Sequence, residues 1–260
     1  MAEADYSTVT EVTGYNVTSE QLQRLYTRYR FAGEFCENKD VLEVACGSGQ
    51  GLGYLAKKAK RVVGGDIDQK LLRIAAEYYR GRDKVELKAL DAQRLPFADK
   101  SFDVIILYEA IYYLKEPADF IREAYRVLRS GGVLIICTAN KDSPGFNPSP
   151  YSHKYFSLPE LFALLRDHGF IKIESLADCQ VRPKGAKDKL VSLVKKTAVR
   201  LHLVPKTMKG KEFLKRVFFG KLSALPAEVY DGMTEYSAPV PVSWQSPNYE
   251  YKVVYALGYK

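Results

Sequence analysis

The sequence has few of the residues that build disulfide frameworks or metal sites. Its 260 residues include four cysteines and three histidines, and no two of the cysteines form a CxxC pair. Disulfide-rich secreted domains and zinc modules need cysteines at denser and more regular spacing. We therefore expect reduced, buried thiols and no bound metal.

Long apolar runs are also missing. No hydrophobic stretch approaches the roughly 20 residues that cross a bilayer. The opening residues, MAEADYSTVTEVTGYNVTS, contain neither the basic region nor the apolar region of a secretory signal. These absences predict a cytoplasmic protein.

The net charge of +8 is unevenly distributed along the chain. The segment from Arg182 to Lys221 carries a net charge of +11, which leaves −3 for the rest of the chain. A protein that binds nucleic acid over its whole surface is basic throughout. We therefore expect no nucleic-acid partner and a local role for the basic segment.

Segments that predict strands and helices alternate along most of the chain. The predicted strands are residues 41–46, 61–67, 85–92, 102–109, 133–140 and 171–178, and the predicted helices are residues 19–35, 51–59, 69–82, 118–132 and 158–170. Such alternation is typical of an α/β fold with a doubly wound, mostly parallel sheet. Residues 249–260 predict a seventh strand, which follows no helix and is expected to enter the sheet antiparallel.

This pattern divides the chain into four parts. They are an N-terminal helical segment (1–36), an α/β core (37–179), a basic helical insertion (180–247) and the final core strand (248–260). Within the insertion, residues 189–203 and 211–222 carry apolar stripes at helical spacing. Two roles fit these helices: a cap over the ligand site, or a peripheral contact with an anionic membrane surface or a phosphate-bearing substrate.

The most distinctive stretch is VLEVACGSGQG at residues 41–51, where three glycines occupy alternate positions. A glycine cluster after a buried strand marks a sharp turn or a close approach to a ligand. Ligands of open α/β sheets bind beyond the carboxyl ends of the strands. The following strands end at Asp66, at Asp91 and at the pair Tyr108-Glu109. These residues are therefore expected to converge on one crevice.

A glycine turn followed by an acid on the second strand fits two cofactors, because a nicotinamide dinucleotide and S-adenosylmethionine both place a ribose there. Glu43 favours S-adenosylmethionine, since an acid beside the turn repels a pyrophosphate and attracts the ammonium of a methionine. Asp91 and the Ala92 N–H are placed to pair with the polar edge of adenine. The dinucleotide remains the less favoured alternative.

Four motifs together resemble those of class I S-adenosylmethionine-dependent methyltransferases: LEVACGSGQG, VVGGDID, LDAQRLPFADKSFDVII and RVLRSGG. The resemblance covers about residues 20–178 and implies a Rossmann-like fold, with S-adenosyl-L-methionine as cofactor and S-adenosyl-L-homocysteine as its product. The cofactor-binding residues that it implies are Glu43, Ala45, Gly47, Gly49, Asp66, Ile67, Asp91, Ala92 and Tyr108. Ala45 stands where the family usually has glycine.

A second resemblance concerns the acceptor. The loop CTANKDSPGFNPSPYSHKYFSLPE is similar to loops of methyltransferases from saccharide-biosynthesis clusters, which implies a sugar hydroxyl of a nucleotide-linked or lipid-linked glycan as acceptor. Transfer to an alcohol releases a proton, and His153 is the candidate general base. Glu109 is a second candidate catalytic residue on the acceptor side. Loop packing by His153 and helix capping by Glu109 are the structural alternatives.

Two other functions remain open at this stage. One is methylation of a lipid or quinone-like metabolite, with the basic helices resting on the membrane. The other is a regulator that binds the cofactor without catalysis. An incomplete set of cofactor residues would favour the regulator, whereas this sequence supplies nearly the whole set.

Overall fold

The computed structural model describes residues 12–181 and 222–260. Its helices are α1 (Ser19–Ala32), α2 (Leu52–Ala56), α3 (Gln69–Tyr78), α4 (Pro117–Val127) and α5 (Leu158–Arg166), with a 3₁₀ turn at Ile111–Tyr113. Its strands are β1 (Asn16–Val17), β2 (Asp40–Val44), β3 (Arg61–Asp66), β4 (Val85–Ala89), β5 (Phe102–Tyr108), β6 (Leu128–Ala139), β7 (Lys172–Gln180), β8 (Ser223–Ala224), β9 (Val240–Pro241) and β10 (Tyr251–Tyr259).

In the described part of the chain, the main sheet has the strand order β4-β3-β2-β5-β6-β10-β7-β9. Strands β2 to β6 pair in parallel, and β10 lies antiparallel between β6 and β7. The predicted Rossmann-like, mostly parallel sheet is therefore confirmed, as is the antiparallel entry of the last long strand. The two-residue strand β9 extends the sheet by pairing antiparallel with β7.

Helices cover both faces of the sheet, and each face has its own buried apolar cluster. One cluster packs α4 and α5 against the sheet, and the other packs α1, α2 and α3 against the opposite face. Alternate residues of a strand supply the two clusters, as in β2, where Leu42 and Val44 face one and Val41 faces the other. Because both faces are covered, the central strands are apolar on both sides.

Helix α1 begins with a capping box. The Thr18 side chain accepts a hydrogen bond from the Gln21 N–H, and the Gln21 side chain accepts one from the Thr18 N–H. This reciprocal pairing satisfies backbone donors that the first helical turn leaves without partners. Thr18 is therefore the N-cap of α1.

The prediction of a helix at residues 118–132 was wrong at its C-terminal end. Helix α4 ends at Val127, and the next five residues already belong to β6. There Arg129 Nη1 donates to the carboxylates of Asp40 and Asp103, at 2.9 and 2.7 Å. These partners lie on β2 and β5 of the same sheet, so the contact holds the segment in the sheet. Local apolar spacing does not contain that information.

Part of the predicted insertion is described. Its final portion contributes β8, which pairs antiparallel with β1, and β9, which pairs with β7. The two basic helices predicted at residues 189–203 and 211–222 lie, apart from Leu222, outside the described residues. Among the helices that are described, none is both long enough and apolar enough to cross a membrane.

Candidate active site

A cavity of about 480 Å³ lies beyond the carboxyl ends of β2, β3, β4 and β5. It occupies the point between β2 and β5 where the strand order reverses, the usual ligand position in open α/β sheets. Of the eleven residues predicted for the site, ten line this cavity: Glu43, Ala45, Gly47, Asp66, Ile67, Asp91, Ala92, Tyr108, Glu109 and His153. Gly49 does not line it.

The turn after β2 uses left-handed backbone at three alternate residues. The φ angles are 58° at Ala45, 57° at Gly47 and 81° at Gly49. Only glycine adopts this conformation without strain, which explains why Ala45 occupies a position that is usually glycine in the family. Gly49 points away from the cavity, and its carbonyl accepts a hydrogen bond from the Tyr79 hydroxyl at 2.7 Å. Gly49 therefore contributes to the shape of the turn on the side that faces away from the cavity.

The third glycine of the stretch, Gly51, makes room for helix α1. A Cβ atom at this position would lie 1.7 Å from the ring of Tyr29. The ring therefore packs directly on the turn, and its hydroxyl donates a hydrogen bond to Glu43 Oε1 at 2.6 Å. The sequence pattern places Tyr29 on the apolar face of α1 and gives it no role in the site. Its contact with Glu43 makes it part of the cavity wall.

Glu43 is a buried carboxyl with one unused oxygen. The residue is 1% exposed, and its Oε2 has no hydrogen-bond partner among the described residues. The pKa of Glu43 is raised from 4.5 to about 8, mainly by burial and to a smaller extent by nearby Asp66, against the opposing hydrogen bond from Tyr29. The carboxyl is therefore mostly protonated at neutral pH unless a cation approaches. An ammonium group at the cavity wall would supply that cation.

The acid at the end of β3 is held by backbone groups. Asp66 accepts hydrogen bonds from the N–H groups of Gly47 and Asp68, each at 2.8 Å. Burial raises the pKa of Asp66, and these two backbone bonds oppose the shift. Each carboxylate oxygen can accept more than one hydrogen bond. Asp66 is thus oriented with remaining capacity for the hydroxyls of a ribose.

The neighbouring part of the wall fits a flat base. Ile67 is 56% exposed although it lines the cavity, so its apolar surface is open to a ligand. Asp91 is held by the N–H of Gln93, which donates to Asp91 Oδ1 at 2.8 Å. Ala92 follows directly on the cavity wall. An apolar face beside a fixed acceptor is the arrangement that the adenine hypothesis needs.

Glu109 has donors on both of its carboxylate oxygens. Oε1 accepts from the guanidinium groups of Arg28 and Arg24, the latter at 3.3 Å. Oε2 accepts from the Tyr112 hydroxyl at 3.2 Å and from the Ala139 N–H at 3.0 Å. Four donors therefore surround this carboxylate, and two of them are guanidinium groups. This geometry favours a carboxylate that fixes two arginines over one that abstracts a proton.

Helix α1 supplies five residues of the cavity wall that the sequence analysis leaves out of the site. They are Gln21, Arg24, Leu25, Arg28 and Tyr29. Their spacing of three and four residues puts them on one helix face. Two arginines on a largely apolar face are a detectable signal. Which face meets the cavity, however, depends on how α1 packs on the sheet, and the helix pattern alone does not specify this.

His153 is exposed and lines the cavity on the acceptor side. Its backbone N–H donates to the Tyr112 carbonyl at 2.7 Å, which ties the loop after β6 to the 3₁₀ turn. Tyr155 stacks on Tyr112 with ring centroids 4.2 Å apart, and its hydroxyl accepts a hydrogen bond from the Ser149 N–H. These contacts hold the loop beside the cavity that His153 lines.

Charges in the cavity are segregated along the sheet. The half beyond β2, β3 and β4 carries the carboxyl groups of Glu43, Asp66 and Asp91. The half beyond β5 and β6 carries Arg24, Arg28, Lys115 and His153, with Glu109 among them. Among the described lining residues, the half beyond β2, β3 and β4 is therefore acidic, and the half beyond β5 and β6 has more basic than acidic side chains.

Comparisons with known proteins are consistent with this geometry. Residues 42–136 match the family model described as a methyltransferase domain. The chain is 35% identical over 147 residues to a "probable S-adenosylmethionine-dependent methyltransferase" of Mycolicibacterium smegmatis, covering 55% of this chain and 56% of that protein. It is 33% identical over 122 residues to a demethylmenaquinone methyltransferase of Clavibacter sepedonicus, covering 47% and 49%. The chain thus spans about half the length of the curated relatives that it matches.

Solved structures share the fold. One is a chain of the complex between the Haloferax volcanii Trm112 methyltransferase activator and a methyltransferase. It has a TM-score of 0.60 and 17% sequence identity, covering 92% of this chain and 90% of that one.

Residues 42–136 are thus similar to a methyltransferase domain, and the fold and the cavity agree with that similarity. The methyl donor named for the Mycolicibacterium smegmatis relative is S-adenosylmethionine. The residues fit that cofactor, because the unpartnered Glu43 Oε2 and the oriented Asp66 match its ammonium and its ribose. When bound, the cofactor supplies a methyl group already activated on a sulfonium. The protein then has mainly to align donor and acceptor.

Proposed function

We propose that this chain transfers a methyl group from S-adenosyl-L-methionine to a small molecule, and that the acceptor is a sugar hydroxyl of a nucleotide-linked or lipid-linked glycan. The observation that carries the acceptor class is the charge segregation in the cavity. An acidic half suits a cationic cofactor, and a half with excess positive charge suits an acceptor that bears phosphate.

In the acidic half, the chain's own residues would hold the cofactor. Glu43 would accept a hydrogen bond from the methionine ammonium, and Asp66 would accept from the ribose hydroxyls. Ile67 would pack on the adenine ring, whose polar edge would meet Asp91 and the Ala92 N–H.

In the other half, Arg24 and Arg28 would attract the phosphate of the acceptor. Their side chains are 23% and 14% exposed, so the charges are partly withdrawn from water and weakly screened. Glu109 balances part of the charge of the two guanidinium groups and fixes their positions. The exposed ammonium of Lys115 would extend the same field to the cavity mouth.

A methylated hydroxyl must lose its proton by the end of the reaction. His153 is the residue that we propose as the base, because its imidazole lies on the acceptor side and its loop is held by Tyr112. A base that is exposed before the acceptor binds can pass the proton on to water afterwards.

A second candidate acceptor is a quinone-like or lipid metabolite. The relative named demethylmenaquinone methyltransferase supports it, as do the rings of Tyr112 and Tyr113 on the cavity wall. In that case the basic segment from residue 189 to 222 would contact anionic lipid. A regulator without catalysis is less well supported, because residues suited to every part of the cofactor line the cavity.

Methyl transfer from radiolabelled S-adenosylmethionine tests the proposal. The acceptors are a panel of nucleotide sugars, the same sugars without phosphate, and demethylmenaquinone in detergent micelles. We expect label on a nucleotide sugar and little on its phosphate-free counterpart. Label on the quinone alone would replace the proposal with the second candidate, and label on none of these acceptors would refute both.

The role of the base has a matched control in the same protein. Replacing His153 with Ala should lower turnover by about 10²-fold, the lower end for a lost general base. His168→Ala should leave turnover unchanged, because His168 Nδ1 lies 2.8 Å from the Leu164 carbonyl at the end of α5, away from the cavity wall. Equal turnover of wild type and the His153 variant would remove His153 as the base.

A further inference from the structure

We propose that Tyr29 is a positioning residue for the cofactor. Its hydroxyl holds the Glu43 carboxyl in the orientation that receives the methionine ammonium, so helix α1 completes the ammonium subsite. This inference rests on the proposed function of the cavity as an S-adenosylmethionine site.

The two oxygens of Glu43 have different surroundings. Oε1 accepts a buried hydrogen bond from the Tyr29 hydroxyl at 2.6 Å, whereas Oε2 has no partner among the described residues. A single strong donor on one oxygen fixes the plane of the carboxyl group. The other oxygen is then left for a ligand in the cavity that Glu43 lines.

The Tyr29 ring is itself fixed. It packs so closely on the turn after β2 that a Cβ atom at Gly51 would overlap it. Tyr108 contacts it edge to face, with ring centroids 5.6 Å apart, and the Tyr108 hydroxyl donates to the Arg28 carbonyl at 3.0 Å. Because the Tyr29 ring is packed on two sides, it cannot move with the Glu43 carboxyl group if that group is displaced. The hydroxyl therefore defines one position for Glu43.

Helix α1 is anchored at both halves of the cavity. Tyr29 joins it to Glu43 in the acidic half, and Arg24 and Arg28 join it to Glu109 in the other half. The Tyr29 contact reaches only the part of the cofactor that carries the ammonium. Adenosine is expected to bind at Asp66, Ile67 and Asp91, which lie on other elements.

Because the ammonium and the adenosine are expected to contact different elements, a ligand with the ammonium can be compared with one that lacks it. S-adenosylhomocysteine carries the ammonium, and 5′-methylthioadenosine shares its adenosine and thioether but has no amino-acid group. Replacing Tyr29 with Phe removes only the hydroxyl. We expect about tenfold weaker binding of S-adenosylhomocysteine, the loss typical of one hydrogen bond to a charged group. Binding of 5′-methylthioadenosine should change by less than about twofold, within the spread of near-neutral substitutions.

Calorimetry with both ligands on the purified chain measures the effect. Tyr54→Phe is the matched control, because Tyr54 donates a 2.7 Å hydrogen bond to a carboxylate, Asp231, that does not line the cavity. Glu43→Gln is a second variant that keeps an acceptor for Tyr29 and loses the charge. It should show the same difference between the two ligands.

The outcomes separate the two proposals. Equal weakening of both ligands by Tyr29→Phe, or no weakening of either, would overturn the positioning role while S-adenosylhomocysteine still bound to wild type. A wild-type chain that binds neither ligand would overturn the proposed function itself.

Discussion

Replacing Glu43 with Gln should change how the stability of the ligand-free protein depends on pH. Burial raises the pKa of Glu43 from 4.5 to about 8. Between these two values the folded chain holds a proton that the unfolded chain has released. Unfolding therefore releases a proton, and stability falls as the pH rises through this window.

The magnitude follows from proton linkage. One proton bound only by the folded state lowers the free energy of unfolding by about 1.4 kcal/mol per pH unit. Between pH 5.5 and pH 7.5, both inside the window, wild type should lose about 2.7 kcal/mol through Glu43 alone. Gln resembles the protonated acid and does not titrate. The variant should match wild type only below about pH 4.5. It should be the more stable protein by about 1.4 kcal/mol at pH 5.5 and by about 4 kcal/mol at pH 7.5.

Urea unfolding of both proteins at the two pH values, without cofactor, measures this difference. Other titrating groups are common to the pair and cancel when the two curves are subtracted. Glu86→Gln is the control, since it makes the same substitution at a side chain that is 51% exposed. Parallel curves for wild type and the Glu43 variant would show that Glu43 is ionised in the folded protein. That result would refute the reasoning about its buried carboxyl.

Three further predictions concern the turn after β2 and the end of β3. Asp66→Ala should weaken S-adenosylhomocysteine binding by about 1–3 kcal/mol in calorimetry, because charge-assisted hydrogen bonds are lost; unchanged affinity would place the ribose elsewhere. Ala45→Gly should raise the free energy of unfolding by about 1 kcal/mol, since φ is 58° there; a lower urea midpoint would argue against strain. Gly51→Ala should destabilise the protein by about 1–3 kcal/mol by overpacking against Tyr29; wild-type stability would mean that the ring moves freely.

The lining residues of the acidic half of the cavity could be predicted from the sequence, because that half is built from strand ends. Parallel strands bring their carboxyl ends to one edge whatever the details of packing. Asp66 and Asp91 could therefore be placed from the order of the strands, and Glu43 from its position before the turn. Each of these residues lines the observed cavity.

The acceptor half depends on contacts between distant segments. Arg24 and Arg28 are separated from Glu109 by more than 80 residues, and the contact exists only because α1 lies across the end of β5. The helical pattern identifies the apolar face of α1, but it does not determine how the helix is rotated about its own axis when it packs on the sheet. The same limit explains the error at residues 118–132, where Arg129 finds its partners on β2 and β5.

Within VLEVACGSGQG, the position of one glycine could be predicted from the sequence, and the roles of two others could not. Density of glycine predicts a sharp turn near a ligand, and Gly47 lies on the cavity wall as expected. Gly49 and Gly51 serve internal packing instead, against Tyr79 and Tyr29. Nothing in the spacing of the glycines distinguishes a close ligand from a close side chain.

Calorimetric titration of the purified chain with S-adenosylhomocysteine and, separately, with a nicotinamide dinucleotide tests the central claim most directly. The acidic half of the cavity predicts saturable binding of S-adenosylhomocysteine with one site per chain. It predicts no binding of the dinucleotide at the same concentrations, because the described lining residues of that half include carboxyl groups and no Lys or Arg to pair with a pyrophosphate. Binding of the dinucleotide alone would contradict the assignment of this cavity to S-adenosylmethionine.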